Sequence, residues 1–258
     1  MSNIKSNFTK PILLIFLLSI AYNLYSQSPK ISRDWEQIAL NQFEKVKDTS
    51  FQSYDYSSII SNQLRIDRDP WSTYVGVFGS QNQRIDFHIT AFKSINKSTY
   101  SIKGKSKLGS NIRDLTGEIK IKHTLKILNN VFIMLFDYDF KEPGNKDGDG
   151  QFIGIGSFVF TLKNNQPKIF WSEAGEYREY NNMFVGIWKK YKLDKSLDCI
   201  FSFNASGTWT KLPFRDNLYK TFKDEDECKC YFEIKDEFRQ YGWKNHIDSD
   251  IYKDYWWK

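Results

Sequence analysis

The chain has 258 residues, of which 40% are hydrophobic, 26% charged and 17% aromatic. These are values of a folded globular protein, and with 14 glycines and 6 prolines they exclude collagen-like and low-complexity proteins. The formal net charge is +6, but most basic residues are lysines, whereas contacts to phosphates and bases favour arginine. We therefore expect no nucleic-acid partner.

Residues 1–26 have the pattern of an export signal. Lys5 and Lys10 precede the apolar run Pro11–Tyr22, and Ser26 supplies a small residue for cleavage. The apolar run is shorter than the roughly 20 residues that a spanning helix needs. We therefore expect cleavage after Ser26 and export to the periplasm, the cell surface or the medium, with an N-terminal membrane anchor as the alternative.

Residues 27–70 are predicted to hold a helix and a surface linker. Ser32 is a candidate N-cap, and apolar residues follow it at helical spacing: Trp35, Ile38, Ala39, Phe43 and Val46. We expect this helix to pack across a mouth or an edge of the next domain. Residues 47–64 show no period, which indicates a linker running over the surface.

A β pattern begins at Trp71. Apolar and polar residues alternate clearly over 85–91, 115–123 and 152–160, and Asn- and Gly-rich turn signals separate such runs. Eight or nine strands are predicted between 71 and 204, and because no helical segment interrupts them the sheet is antiparallel. The predicted fold is mainly β: a single antiparallel meander barrel or a two-sheet domain over 71–204, with one short N-terminal helix and an aromatic-rich C-terminal extension over 205–258.

Charges on one strand argue against a transmembrane barrel. Glu118, Lys120 and Lys122 share one face of their predicted strand, opposite a face of aliphatic residues. A charged face does not fit against lipid, and a small barrel has no room for these charges inside. We therefore expect a barrel that does not lie in a membrane.

Two sets of short motifs carry a resemblance to known proteins. With Trp71–Gly76 and Gly186-Ile187-Trp188, the β region resembles calycin-type barrels, the group that includes lipocalins and avidins, in which a Gly-x-Trp motif places the indole across one barrel end. A second resemblance, to parts of exported bacterial proteins of unassigned function, is carried by the segments Gly104–Ser106, Asn111-Ile112, Gly117–Ile119 and Asn181–Tyr191. The resemblance covers about Trp71 to Tyr191. It implies a barrel and export, and it implies no catalytic residue.

No common catalytic motif is present. The chain has no GxSxG, HExxH, Walker or GxGxxG sequence. Alternation places His123 on the apolar face of its strand, where it is either a candidate ligand-binding residue or a hydrogen-bonded core histidine. We expect Trp188 to be buried and structural at one end of the barrel, with no role in ligand binding.

The loop Glu142–Gly150 is the candidate metal site. Asn145, Asp147 and Asp149 offer alternate oxygen ligands before a turn glycine, as in the first half of a calcium loop. The position where such a loop needs a glutamate holds Gly156. We expect a plain connecting loop that binds calcium weakly or not at all, and no other cofactor.

Cysteines and tail aromatics complete the candidates. Export permits disulfides. The chain has three cysteines, Cys199, Cys228 and Cys230, and because this number is odd, one thiol stays free or pairs with another chain. We expect Cys199 to bond to one of the other two, with three free thiols as the alternative. The tail tryptophans Trp243, Trp256 and Trp257 belong either to a lid over the barrel's open end or to an exposed platform for sugars or a partner.

These observations predict an exported, non-enzymatic binding or interaction module. Its ligand would be a small hydrophobic molecule, a glycan or a cell-surface protein. The alternatives are a carbohydrate-active protein, either a glycan-binding module or a weak hydrolase, and a structural component of a cell-surface assembly that docks through the N-terminal helix. A wide empty barrel favours small ligands and a filled one favours protein contacts.

Overall fold

The structure, a computed structural model, describes residues 28–61, 73–170, 177–202, 214–215, 218–224, 229–243 and 256–257. Its helices are α1 (Lys30–Gln42), α2 (Ser57–Ile60) and α3 (Asp236–Arg239), with 3₁₀ turns at Thr49–Ser53 and Arg178–Tyr180. Its strands are β1 (Glu44–Lys45), β2 (Tyr74–Phe78), β3 (Gln83–Asn96), β4 (Thr99–Leu108), β5 (Asn111–Leu128), β6 (Val131–Lys141), β7 (Gly150–Lys163), β8 (Gln166–Ile169), β9 (Met183–Lys190), β10 (Ser196–Ser202), β11 (Tyr219–Asp224) and β12 (Lys229–Ile234). No described helix is both long and apolar enough to cross a membrane.

Eight strands form a closed antiparallel ring. The order is β2-β3-β4-β5-β6-β7-β9-β10, and β10 pairs back with β2. The mainly β, antiparallel meander predicted from the alternation is confirmed, with nine strands, β2 to β10, in the part of the predicted domain that the structure describes. We call the end formed by the β2–β3, β4–β5, β6–β7 and β9–β10 connections the pocket end, and the opposite end the plug end.

The interior of the ring is filled with aromatic side chains. Phe184 stacks on Phe201 with ring centroids 4.5 Å apart, and Phe201 stacks on Phe87 at 4.0 Å. The alternation along β7 directs Phe152, Phe158 and their neighbours of the same parity inward, because successive side chains of a strand point to opposite faces. The centre of the barrel therefore holds a packed core and no open channel.

Residues 48–61 close the plug end, where the sequence predicted a surface linker. Phe51 lies 4.8 Å from Phe132 between ring centroids, and Tyr56, fully buried, donates a hydrogen bond from its hydroxyl to the carbonyl of Phe51 at 2.6 Å. The carbonyl of Ile60 accepts a bond from the hydroxyl of Tyr74 at 2.7 Å. The linker prediction was wrong here because short turns that plug a barrel have no repeating hydrophobic period.

Helix α1 lies on the outer wall of the barrel, not across its mouth. It rests on β7 and β9, with Trp35 and Ala39 buried and Ile38 47% exposed. Its N-cap is Pro29, whereas Ser32 is buried within the first turn and donates a hydrogen bond to the carbonyl of Val185 at 2.7 Å. Of the predicted apolar face, Trp35 and Ala39 are buried, whereas Ile38 is exposed and Val46 lies beyond the helix. The hydroxyl that suggested a cap instead fixes the helix to β9.

Candidate functional site

A cavity of about 290 Å³ remains at the pocket end. Its apolar walls come from the inner faces of six strands, and its polar groups come from strand ends and from the β6–β7 and β9–β10 connections. The lining residues are Phe78, Ile85, Ser106, Leu108, Asn111, Arg113, Glu142, Gly148, Phe152, Trp188, Lys190, Lys195 and Leu197. A concave site with apolar walls and a few convergent polar groups is the usual form of a small-molecule site.

Trp188 forms part of the floor of this cavity. Its side chain points inward from β9, it is buried, and its ring centroid lies 5.5 Å from that of Phe78. The prediction that Trp188 is buried at one end of the barrel is confirmed. Sequence reasoning gave it no polar contact, however, and its indole N–H donates to Oε2 of Glu142 at 3.3 Å.

Glu142 is a buried carboxyl beside the indole. Its Oε2 also accepts the backbone N–H of Gly150 at 2.6 Å, and its Oε1 accepts the hydroxyl of Ser106 at 3.3 Å. Burial raises the pKa of Glu142 above its ordinary value, against the opposing effect of the hydrogen bonds, and the nearby charge of Asp149 adds to the rise. Glu142 therefore ties the β6–β7 loop to the barrel and brings an acid of raised pKa to the cavity.

The pKa of Asp149, on the same loop, is shifted in the direction opposite to that of Glu142. Burial raises its pKa, but hydrogen bonds from the N–H groups of Lys146 and Gly144, both at 3.0 Å, and an ion pair with Arg113 outweigh that effect and leave the pKa lowered. The Nε of Arg113 lies 2.8 Å from Oδ1 of Asp149. Asp149 is therefore a charged, fully engaged carboxylate that shapes the loop.

The three candidate calcium ligands do not converge. Asp149 faces Arg113 and its own turn, Asp147 has a fully exposed side chain 3.5 Å from the ammonium of Lys190, and Asn145 is exposed. Among the described residues, no group of three or more His, Cys, Asp or Glu side chains is placed to hold a metal ion. The loop closes through hydrogen bonds and ion pairs within the protein.

His123 lies on the outer wall, not on the inner face that strict alternation assigned to it. A register shift between Ile121 and His123 reverses the parity of β5, so His123 pairs with Leu135 beneath helix α1. Its Nε2 is 4.0 Å from Oε1 of Glu36. Burial and the charge of Lys45 lower the pKa of His123, with the charge of Glu36 acting in the other direction.

The tail tryptophans pack on the outer wall of the barrel and do not form an exposed platform. Trp243 is buried and its Nε1 donates to the carbonyl of Asn82 at 2.6 Å. Trp257 stacks on His88 with centroids 4.5 Å apart, and Trp256, partly exposed, lies 5.7 Å from the ammonium of Lys107. The burial of Trp243 and Trp257 gives both rings a packing role on the barrel wall.

Cys199 carries a free thiol buried in the barrel interior. The disulfide expected from it is therefore not formed in this structure, because the parity of β10 directs the thiol inward among packed rings. Cys228 lies outside the described residues, and only the backbone of Cys230 is described.

Neither Arg113 nor Glu142 was predicted from the sequence to lie in a cavity. Arg113 lies in a run of alternating polar residues and gives no local signal, whereas Glu142 follows directly on an apolar strand and precedes a proline, which places it at a loop entrance. No family model matches this chain, and comparison with curated proteins and with solved structures finds no match. The calycin-type resemblance therefore remains a prediction.

Proposed function

We propose that this chain is an exported, non-enzymatic binding module and that the pocket-end cavity holds its ligand. The observation that carries the proposal is the contrast between a packed barrel centre and a cavity of about 290 Å³ at one end, where apolar walls meet Ser106, Arg113 and Glu142. Because the described centre of the barrel is filled, a small ligand of the barrel interior would lie at its rim. The closed antiparallel ring supports the calycin-type assignment, which is part of the proposal.

Export and the class of partner belong to the same proposal. Export is supported by the pattern of residues 1–26, which lie outside the described residues. On the outer wall, Glu118 and Lys120 of β5 are exposed, which supports a barrel surrounded by water. Helix α1 uses its apolar face against β7 and β9, which weakens the case for a cell-surface assembly that docks through this helix.

The hydrogen bonds of the carboxyls favour binding over catalysis. General acid–base chemistry needs a carboxyl within hydrogen-bond reach of the substrate. Both oxygens of Glu142 already accept bonds from protein groups, and Asp149 is held by Arg113 and two backbone N–H groups. Each carboxyl is thus occupied in holding the loop.

A carbohydrate-active protein is the second candidate, and one observation favours it. Glu142 and Asp149 lie on one loop with pKa values displaced in opposite directions, beside the indole of Trp188. Glycosidases use such a pair of carboxyls, one kept protonated and one charged. This candidate requires turnover that depends on Glu142.

The experiment fills the cavity with a larger side chain and compares this variant with one that is changed at a matched position outside the cavity. Leu108 and Leu162 are both partly buried leucines packed against the interior core, but only Leu108 lines the cavity. We expect small amphipathic fragments to shift the indole N–H resonance of Trp188 in the parent protein and in Leu162→Trp, and to leave it unshifted in Leu108→Trp. Fragment binding that survives Leu108→Trp, or no fragment binding at all, would overturn the proposal.

A turnover assay distinguishes the carbohydrate-active candidate from a non-enzymatic binding module. The same preparations are incubated with panels of esters, glycans and peptides, together with Glu142→Gln. We expect no turnover above that of heat-denatured protein. Glycan hydrolysis that is lost in Glu142→Gln and kept in Leu162→Trp would establish the carbohydrate-active alternative instead.

A further inference from the structure

Basic side chains outnumber acidic ones around the pocket-end cavity. Arg113, Lys190 and Lys195 line it, and Glu142 is the one acidic residue among its lining residues. Clefts lined by charges of one sign concentrate ligands of the opposite sign. The charge of the cavity therefore depends on how far these three cations are already neutralised by the protein.

Carboxylates of the protein neutralise Arg113 but largely leave the charges of Lys190 and Lys195 uncompensated. Arg113 is compensated by the buried carboxylate of Asp149. Lys190 lies 3.5 Å from Asp147, but the side chain of Asp147 is fully exposed, and an ion pair in solvent contributes little. No ion pair joins Lys195 to any residue that the structure describes, and its exposed side chain reaches the cavity from the β9–β10 turn.

The acid of the cavity sits deeper than the cations. Glu142 is buried against Trp188, Ser106 and the N–H of Gly150, and burial raises its pKa, which favours the neutral form. Lys195 lies at the exposed mouth. The cavity therefore presents cations at its entrance and apolar walls behind them.

We infer that the ligand is a small amphipathic carboxylate, whose apolar group lies between Phe78, Phe152 and Leu197 and whose anionic group meets Lys190 and Lys195 at the mouth. This inference rests on the proposed function, since it assumes that the cavity is a binding site. A carboxylate gains charge-assisted hydrogen bonds from the two ammonium groups, which a neutral alcohol or sugar does not. A cationic ligand of the same shape meets repulsion from both lysines.

The test uses three probes of one shape and different charge. Phenylacetate, 2-phenylethanol and 2-phenylethylammonium are titrated against the purified chain at low ionic strength. Binding is followed by calorimetry and by the indole N–H resonance of Trp188, which is assigned from Trp188→Phe. We expect phenylacetate to bind at least about tenfold more tightly than the alcohol, the cation to bind most weakly, and the preference to shrink as salt screens the lysines.

Variants that remove lysine charges test which residues cause the preference for the carboxylate. In Lys190→Gln with Lys195→Gln, phenylacetate is expected to bind no more tightly than 2-phenylethanol, whose own affinity stays unchanged. Lys168→Gln, an exposed lysine of β8 at the plug end, is the matched control and is expected to keep the full preference.

Different outcomes contradict the charge preference and the binding site. If the alcohol or the cation binds at least as tightly as phenylacetate and shifts the Trp188 resonance, the cavity binds ligands but the inference about their charge is overturned. If the double lysine variant keeps the preference, the assignment of the anion to Lys190 and Lys195 is wrong. If no probe shifts the resonance, both the inference and the proposed binding site are overturned.

Discussion

The hydroxyl of Tyr138 lies against the backbone of Gly186, so closely that a β-carbon on Gly186 would stand 2.3 Å from it. Gly154, paired with Tyr138 on one side and Gly186 on the other, leaves similar space, with a β-carbon position 2.8 Å from the same hydroxyl. The two glycines let the tyrosine ring lie flat on the inner face of the sheet. The hydroxyl is buried and has no hydrogen-bond partner among the residues that the structure describes.

Gly186→Ala is expected to destabilise the protein strongly. The new methyl group would also meet the carbonyl oxygen of Ile153 at 2.1 Å, which is backbone and cannot turn away. We expect a loss of about 3 kcal/mol or more in the free energy of unfolding, the upper range for overpacking a core. Gly148→Ala, whose nearest contact is 3.7 Å, is the control in urea denaturation. Equal midpoints for the two variants would contradict the tight contact.

Tyr138→Phe is expected to stabilise the protein. The substitution keeps the ring, which contacts Phe140 and Phe184, and removes a buried hydroxyl that has no partner. Burying an unsatisfied polar group costs about 1–3 kcal/mol, so we expect a gain of about 1 kcal/mol. A lower midpoint in thermal or urea denaturation would show that the hydroxyl has a partner in solution.

Trp188→Ala is expected to cost much more than Trp256→Ala. Trp188 is buried in the cavity floor, and emptying such a site costs about 3–5 kcal/mol. Trp256 is partly exposed and contacts Lys107 through its ring face, an interaction of about 1 kcal/mol or less at an exposed site. Denaturant midpoints measure the order, and the reverse order would place the main core outside the barrel.

Phe51→Ala tests whether the plug contributes to the core. The ring is buried against Phe132 and Phe160, so we expect a loss of about 3 kcal/mol. Leu128→Ala at the same end, where the side chain is 51% exposed, is expected to change stability by about 0.5 kcal/mol or less. A negligible effect of Phe51→Ala on stability would indicate that residues 48–61 are a surface linker, as the sequence predicted.

Glu142→Gln is expected to change how stability depends on pH. Because burial raises the pKa of Glu142 in the folded protein, the native state holds this proton more tightly than the unfolded chain does. Stability from this group is present below the unfolded pKa and is lost as the pH rises through the folded one. The glutamine variant cannot ionise there, so its stability relative to the parent is expected to rise from about pH 4 to about pH 8.

Urea denaturation across that pH range measures the effect. Glu237→Gln on helix α3, an exposed carboxyl, is the control and is expected to leave the pH profile unchanged. A difference between Glu142→Gln and the parent that stays constant with pH, or that falls as the pH rises, would contradict the raised pKa.

The sheet was predictable where one side of a strand is buried throughout. Along β7 the inward residues from Phe152 to Phe160 are all large apolar residues or glycines, so period two identified both the strand and its inner face. The same rule failed at His123, because the bulge after Ile121 adds one residue and exchanges the faces. Nothing in the neighbouring residue types indicates where such a residue is inserted.

The candidate site was predictable in part for a related reason. Trp188 was recognised as a buried residue at a barrel end from the strand Phe184, Gly186, Trp188. The hydrogen-bond partners of Glu142 come from β4, β7 and β9, and Arg113 is held by Asp149 of the β6–β7 loop. Such long-range pairing depends on the strand register. Charged residues in polar stretches gave no sign of burial.

The pairing of β2 with β10 has a consequence for how the ring opens. Six of the other neighbouring pairs are consecutive strands, and β7 and β9 are separated by residues 164–182. The β2–β10 pair instead brings together the two ends of the meander and carries the largest loop-closure entropy. Cys199 lies in this seam opposite Phe78, and burial raises the pKa of its thiol well above the ordinary value. Since the thiol is fully buried and the thiolate is the reactive form, an alkylating reagent reaches Cys199 only after the barrel wall around β10 opens. Under native conditions, the alkylation rate of the peptide that contains Cys199 therefore reports the free energy of opening the barrel next to its closing seam.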